Sequence, residues 1–74
     1  MDKELDLHRV RHGDVRGIVD EFIYSHLQKS TNKVIIITGN SPHMKELVKE
    51  ALHDYGMYPE DDWMNSGQLN VNLK

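Results

Sequence analysis

Lys33-Val34-Ile35-Ile36-Ile37-Thr38-Gly39-Asn40-Ser41-Pro42 decides the architecture of this chain. Val34 to Ile37 is an unbroken β-branched run, stiff at χ1 and suited to extended backbone. A continuous apolar run of this kind fits an interior strand buried on both faces. Gly39 to Pro42 then reads as a tight loop feeding a helix. Ser41 has the side chain of an N-cap, and Pro42 has the fixed φ of a first helical residue.

Beyond the loop, Met44, Leu47, Val48, Ala51, Leu52 and Tyr55 fall on one helical stripe, and Gly56 supplies a stop. Asp62-Trp63-Met64 reads as a short strand in which Trp63 packs, with partial exposure open, and Asn65-Ser66-Gly67 as a turn. Leu69, Val71 and Leu73 alternate with Asn70, Asn72 and Lys74 as a last strand. On the other side, Val15, Ile18, Val19, Phe22, Ile23 and Leu27 repeat at helical spacing. They predict a helix over about residues 12 to 29, closed by Ser30-Thr31-Asn32. Leu5-Asp6-Leu7-His8 alternates as a first strand, with Asp6 and His8 on the same face.

The order β-α-β-α-β-β defines an α/β fold, a two-layer sandwich with a small mixed sheet and two helices on one face. The first strand-helix-strand unit crosses over right-handed, so its strands run parallel. Leu5, Leu7, Leu69, Val71 and Leu73 line the helix side, and Asp6, His8, Asn70 and Asn72 the other. Residues 1–74 make one domain, near the lower size limit for folding without disulfides or metal.

Composition excludes several classes. Without cysteine there is neither a disulfide framework nor a thiolate zinc site. No apolar run approaches the roughly 20 residues of a membrane span, and Met1-Asp2-Lys3-Glu4 is no signal peptide. The expectation is a cytoplasmic protein without membrane attachment. The Met1 start and the strand ending at Lys74 suggest a stand-alone small protein. Net charge is -3, with 9 Lys+Arg against 12 Asp+Glu, so no global basic footprint exists. The charge is uneven, however. His8 to Arg16 carries three Arg and two His against one Asp, whereas Glu60, Asp61 and Asp62 form an acidic run.

Ligands of open α/β sheets favour the crevice beyond the carboxyl ends of parallel strands. Topology therefore brings Asp6, His8, Arg9 and Arg11 towards Thr38, Gly39, Asn40, Ser41 and His43. The second loop leads into a helix amino end, which favours an anion. Arg9, Arg11, His12 and Arg16 oppose the dipole at the start of the first helix, a mild cost that a phosphate partner would offset. The plain alternative is a solvated helix start and an ordinary capped turn. No two histidines share a helix at the i, i+4 spacing of a metal site.

Several motifs, in order, resemble the Smr (small MutS-related) domain family. They are Leu5-Asp6-Leu7-His8, Glu21-Phe22-Ile23, Ile36-Ile37-Thr38-Gly39 and Gly67-Gln68-Leu69-Asn70-Val71-Asn72-Leu73. The resemblance implies a fold like the C-terminal domain of a bacterial translation initiation factor. It also implies binding of structured DNA or RNA, with nicking or endonuclease activity in several members. Carried over by position, Asp6 and His8 match the L-D-L-H opening, and Thr38, Gly39 and Ser41 match the T-G-x-G loop. His43 falls on a histidine often seen just after that loop. Two residues depart from the pattern: Arg9 stands where the family has Gly, and Ser41 replaces the second loop Gly.

The resulting expectation is an Smr-like nucleic-acid-binding domain. Asp6 and His8 are its candidate catalytic pair; Arg9, Arg11, His12, Arg16, Thr38, Gly39, Asn40, Ser41 and His43 are its candidate nucleic-acid contacts. Endonuclease activity is open, and so is a divalent metal held partly by Asp6, which the ligand spacing does not indicate. The alternative is a non-catalytic adaptor that binds nucleic acid or a protein partner through the same loops.

Overall fold

The computed structural model describes residues 3–73. Met1, Asp2 and Lys74, which enter the expectations about the chain ends and the last strand, lie outside the described residues. The elements are β1 (Glu4–Asp6), α1 (His12–Gln28), β2 (Lys33–Ile37), α2 (Pro42–His53), β3 (Glu60–Asp61) and β4 (Gln68–Asn72). They form a four-stranded sheet in the order β1-β2-β4-β3. β1 runs parallel to β2, and the other two pairs are antiparallel. This is the expected α/β architecture, with β2 as an interior strand.

Register explains the core. Ile36 lies opposite both Leu5 and Leu69, and Val34 lies opposite Val71. Directly opposed residues share a face, so these side chains form one apolar surface. Val15, Val19 and Ile23 of α1 and Met44, Val48, Ala51 and Leu52 of α2 cover it, and Leu7 and Leu73 complete the cluster. Ser41 caps α2 as its spacing predicts, its Oγ accepting from the Met44 N–H at 3.1 Å, with Pro42 in the first turn. α1 has no side-chain cap; Arg11 occupies its N-cap position. No helix among the described residues is long and apolar enough to cross a membrane.

Several details correct the sequence reading. β2 is fully buried on one face only: Val34 and Ile36 are buried, Ile35 and Ile37 half-buried. The helices occupy a single layer, so the outer face of β2 is flanked by polar Asp6 and Gln68 and by Glu4 and Asn70. Leu5 faces the helices opposite Ile36 but sits on the edge strand, and it is half-buried. β1 stops at Asp6, which leaves His8 in the following turn.

β3 is Glu60–Asp61 rather than Asp62 to Met64. The strand ends because the Asp62 carboxylate accepts the Met64 N–H at 2.9 Å, a local bond that competes with the ladder. Trp63 consequently projects from a turn and is 90 % exposed instead of packed. Tyr55 lies beyond α2, outside the core, and its hydroxyl donates to Asp20 at 3.1 Å. His26, unmarked by the apolar pattern, is buried, its Nδ1 3.0 Å from Thr31 Oγ1.

Candidate functional site

Leu7 anchors the first loop. Its side chain is buried, and its N–H donates to the Ile37 carbonyl at 2.8 Å, extending the β1–β2 pairing by one residue. The chain turns immediately afterwards. Oδ1 of Asp6 lies 2.5 Å from Nδ1 of His8 and also accepts the His8 backbone N–H at 3.1 Å. This turn brings the two side chains together although the strand ends before His8.

Both remain open to solvent, with side-chain exposures of 52 % for Asp6 and 48 % for His8. The His8 hydrogen bonds hold the Asp6 carboxyl below its ordinary value, with nearby Arg9 adding to the effect. An ionised Asp6 accepts a hydrogen bond from Nδ1–H of His8 and so leaves Nε2 as the free ring nitrogen. A carboxylate-oriented imidazole of this kind can take a proton from a nucleophile.

The second loop abuts the first. Gly39 has φ +70°, and a Cβ built on it would meet His8 Cβ at 3.6 Å. The T-G pair is fixed from below by Gly67, whose carbonyl accepts the N–H groups of Thr38 at 2.9 Å and Gly39 at 3.0 Å. Thr38, only 2 % exposed, turns its hydroxyl to the Gly39 carbonyl at 2.9 Å. Thr38 therefore shapes the loop from inside, and the Gly39 amide is already occupied. Asn40 is exposed and accepts from Ser66 Oγ at 2.8 Å.

The helix starts also meet. The rings of His12, first in α1, and His43, second in α2, stack with centroids 4.4 Å apart and planes inclined by 15°. Both histidines are exposed, as are Arg9 and Arg11. Arg16 is differently placed. Its Nε lies 3.0 Å from Asp20 and its Nη1 2.8 Å from Asp54, which raises its pKa further and balances its charge within the chain. The structure thus gathers Asp6 and His8 with Gly39, and His12 with His43, while it ties Arg16 to the far end of α2.

Residues that spacing did not mark also build this surface. Lys45 Nζ donates to the Ser66 carbonyl, and Ser66 and Gly67 clamp the Thr38–Asn40 loop. The glycine before the last strand was visible in the sequence; its contact with the distant loop was not. Among the described residues no group of three His, Cys, Asp or Glu is disposed to hold a metal ion. A cleft of about 560 Å³ opens elsewhere, between β1 and α1, against Leu5, Ile18, Glu21, Phe22, Ser25 and His26.

Compared with known families, the chain matches the model of the Smr domain over residues 5–73. Comparisons with curated proteins and with solved structures gave no match.

Proposed function

The chain belongs to the Smr domain family, and from that premise we propose that it binds structured DNA or RNA across the loops that meet at Gly39. The observation that carries this reading is the hydrogen-bonded Asp6–His8 pair, solvent-open and followed directly by Arg9 and Arg11. Phosphate oxygens pair with the two arginines and with the polar groups at the two helix starts, Asn40, Ser41, His12 and His43. Thr38 and Gly39 give the loop its shape. Arg16, balanced by Asp20 and Asp54, contributes less.

Catalysis follows the same geometry. Asp6 fixes the His8 ring, and Nε2 takes a proton from water or a 2′-hydroxyl as that oxygen attacks phosphorus. Arg9 or Arg11 stabilises the charge gathering on the phosphoryl oxygens. As the phosphodiester bond breaks, the departing oxygen takes a proton from solvent water, while His8 later returns its own to solvent. Asp6, held ionised at neutral pH, orients the base and is not the acid.

Incubation with branched DNA and folded RNA, with and without magnesium, tests this reading. Cleavage by the parent protein, lost in the Asp6→Ala/His8→Ala double variant, is the expected result. Salt-sensitive binding without cleavage would leave the non-catalytic adaptor, a reading that Arg9 favours because it replaces a small residue beside the pair. Neither cleavage nor binding would point to a protein partner.

A further inference from the structure

Trp63 is the most exposed large apolar side chain of the described residues, 90 % open, with Met64 beside it at 78 %. An indole left in water is a loss of burial, and the turn that holds it out is firmly built. The Asp62 carboxylate accepts from Met64 N–H at 2.9 Å and from Gln68 Nε2 at 2.8 Å. Asn65 Oδ1 accepts the Gly67 N–H at 3.0 Å, and Asn65 Nδ2 donates to Gln68 Oε1 at 3.2 Å. The same turn is bonded to the candidate site through Ser66 to Asn40, Lys45 to Ser66, and the Gly67 carbonyl to Thr38 and Gly39. Gly67 lies four positions beyond Trp63, at most ~14 Å of chain, which places the ring within a few nucleotides of the Asp6–His8 pair.

Charge selects what reaches it. Trp63 follows Glu60, Asp61 and Asp62, of which, among the described residues, Asp61 alone has a cation nearby, Lys49 at 3.7 Å. Phosphates are repelled from this side and drawn to Arg9 and Arg11. A regular duplex, with phosphates outside and bases stacked within, would bring its backbone against the acidic run. A base swung out of a single-stranded segment presents its neutral face instead. We propose that Trp63 is a stacking platform for an unpaired base, and that the domain takes single-stranded or looped nucleic acid in preference to continuous duplex. This rests on the nucleic-acid reading above and narrows its substrate class.

Because the chain has one tryptophan, indole fluorescence reports this residue alone. The test uses a 5′-labelled oligouridylate of about 12 nucleotides and a blunt, loop-free two-strand duplex of similar charge, at low and moderate salt, a span over which phosphate contacts change affinity steeply. The expected result is quenching of Trp63 by the single strand. Trp63→Ala weakens single-strand binding by about 5- to 150-fold, Trp63→Phe keeps most of it, and duplex binding changes less than about twofold. Circular dichroism of both variants confirms the fold.

Unchanged single-strand binding in Trp63→Ala, or an equal loss for duplex and single strand, would overturn the platform while the nucleic-acid reading stands. Quenching by an arginine-rich peptide and not by either oligonucleotide would overturn it in favour of a protein ligand. If the parent protein binds neither oligonucleotide at low salt, the nucleic-acid reading falls and takes the platform with it.

Discussion

The Oδ1 atom of Asp6 accepts two hydrogen bonds from one residue, His8: its ring Nδ1 at 2.5 Å and its backbone N–H at 3.1 Å. One oxygen therefore sets both the turn and the direction of the imidazole. Shape and chemistry at the strand end share a single cause, and both are sensitive to the protonation of Asp6.

That coupling has a sign. Because the folded protein lowers the Asp6 pKa from 3.8, the stabilisation is present above that value and lost as pH falls through the lower, folded one. NMR titration of the Asp6 carboxyl is expected to give a midpoint below 3.8 in the parent and a higher one in His8→Ala, which loses the ring bond but keeps the backbone bond. An unchanged midpoint in the variant would mean that the ring does not bond the carboxylate in solution.

Gly39→Ala is expected to destabilise by about 1–2 kcal/mol, the usual cost of left-handed backbone for an L-residue. The strain comes from φ +70° and not from crowding, since the new methyl would meet His8 Cβ at an ordinary 3.6 Å. Urea unfolding measures it, and any cleavage or binding should fall further than stability alone explains.

Ser41→Ala removes the acceptor of the Met44 N–H and should lower stability by about 0.5–2 kcal/mol, whereas Ser41→Gly costs only a few tenths. The same urea assay separates them. Equal losses would show that the hydroxyl caps nothing.

Arg11→Ala and Arg16→Ala should behave differently, although both remove one charge near α1. Arg11→Ala is expected to reduce the slope of log K against log salt by about 1. Arg16→Ala should change that slope little and instead free Asp20 and Asp54 from their shared partner. Both carboxylates are well exposed, so its effect on stability should be small.

Ile36→Ala, at the fully buried centre of the sheet between Leu5 and Leu69, should cost about 2–5 kcal/mol. For a chain of 74 residues that is a large share of total stability, and a lowered midpoint or outright loss of the cooperative thermal transition is the expected readout.

Much of the fold was legible because its signals are local. Val34 to Ile37, the Ser41-Pro42 start and the stripe of α1 each depend on neighbours within a few residues, and each element formed where its pattern lies. The readings that failed depended on what covers a residue. Trp63 looks like core by composition, yet the Asp62 carboxylate captures the Met64 N–H and turns the chain outward. Ile35 and Ile37 belong to a core-like run, yet no layer lies over their face.

The candidate site divides in the same way. The sequence by itself determined the family motifs, the pairing of Asp6 with His8 two residues apart, and the basic character of the segment that follows. Only the tertiary structure decided which groups are free to meet a ligand. It turned Thr38 inward and occupied the Gly39 amide with the Gly67 carbonyl, balanced Arg16 against two aspartates, and stacked His12 on His43. Each of these contacts except the Arg16–Asp20 pair joins residues far apart in the chain, and hydrogen-bond partners at such separations are set by packing rather than by spacing.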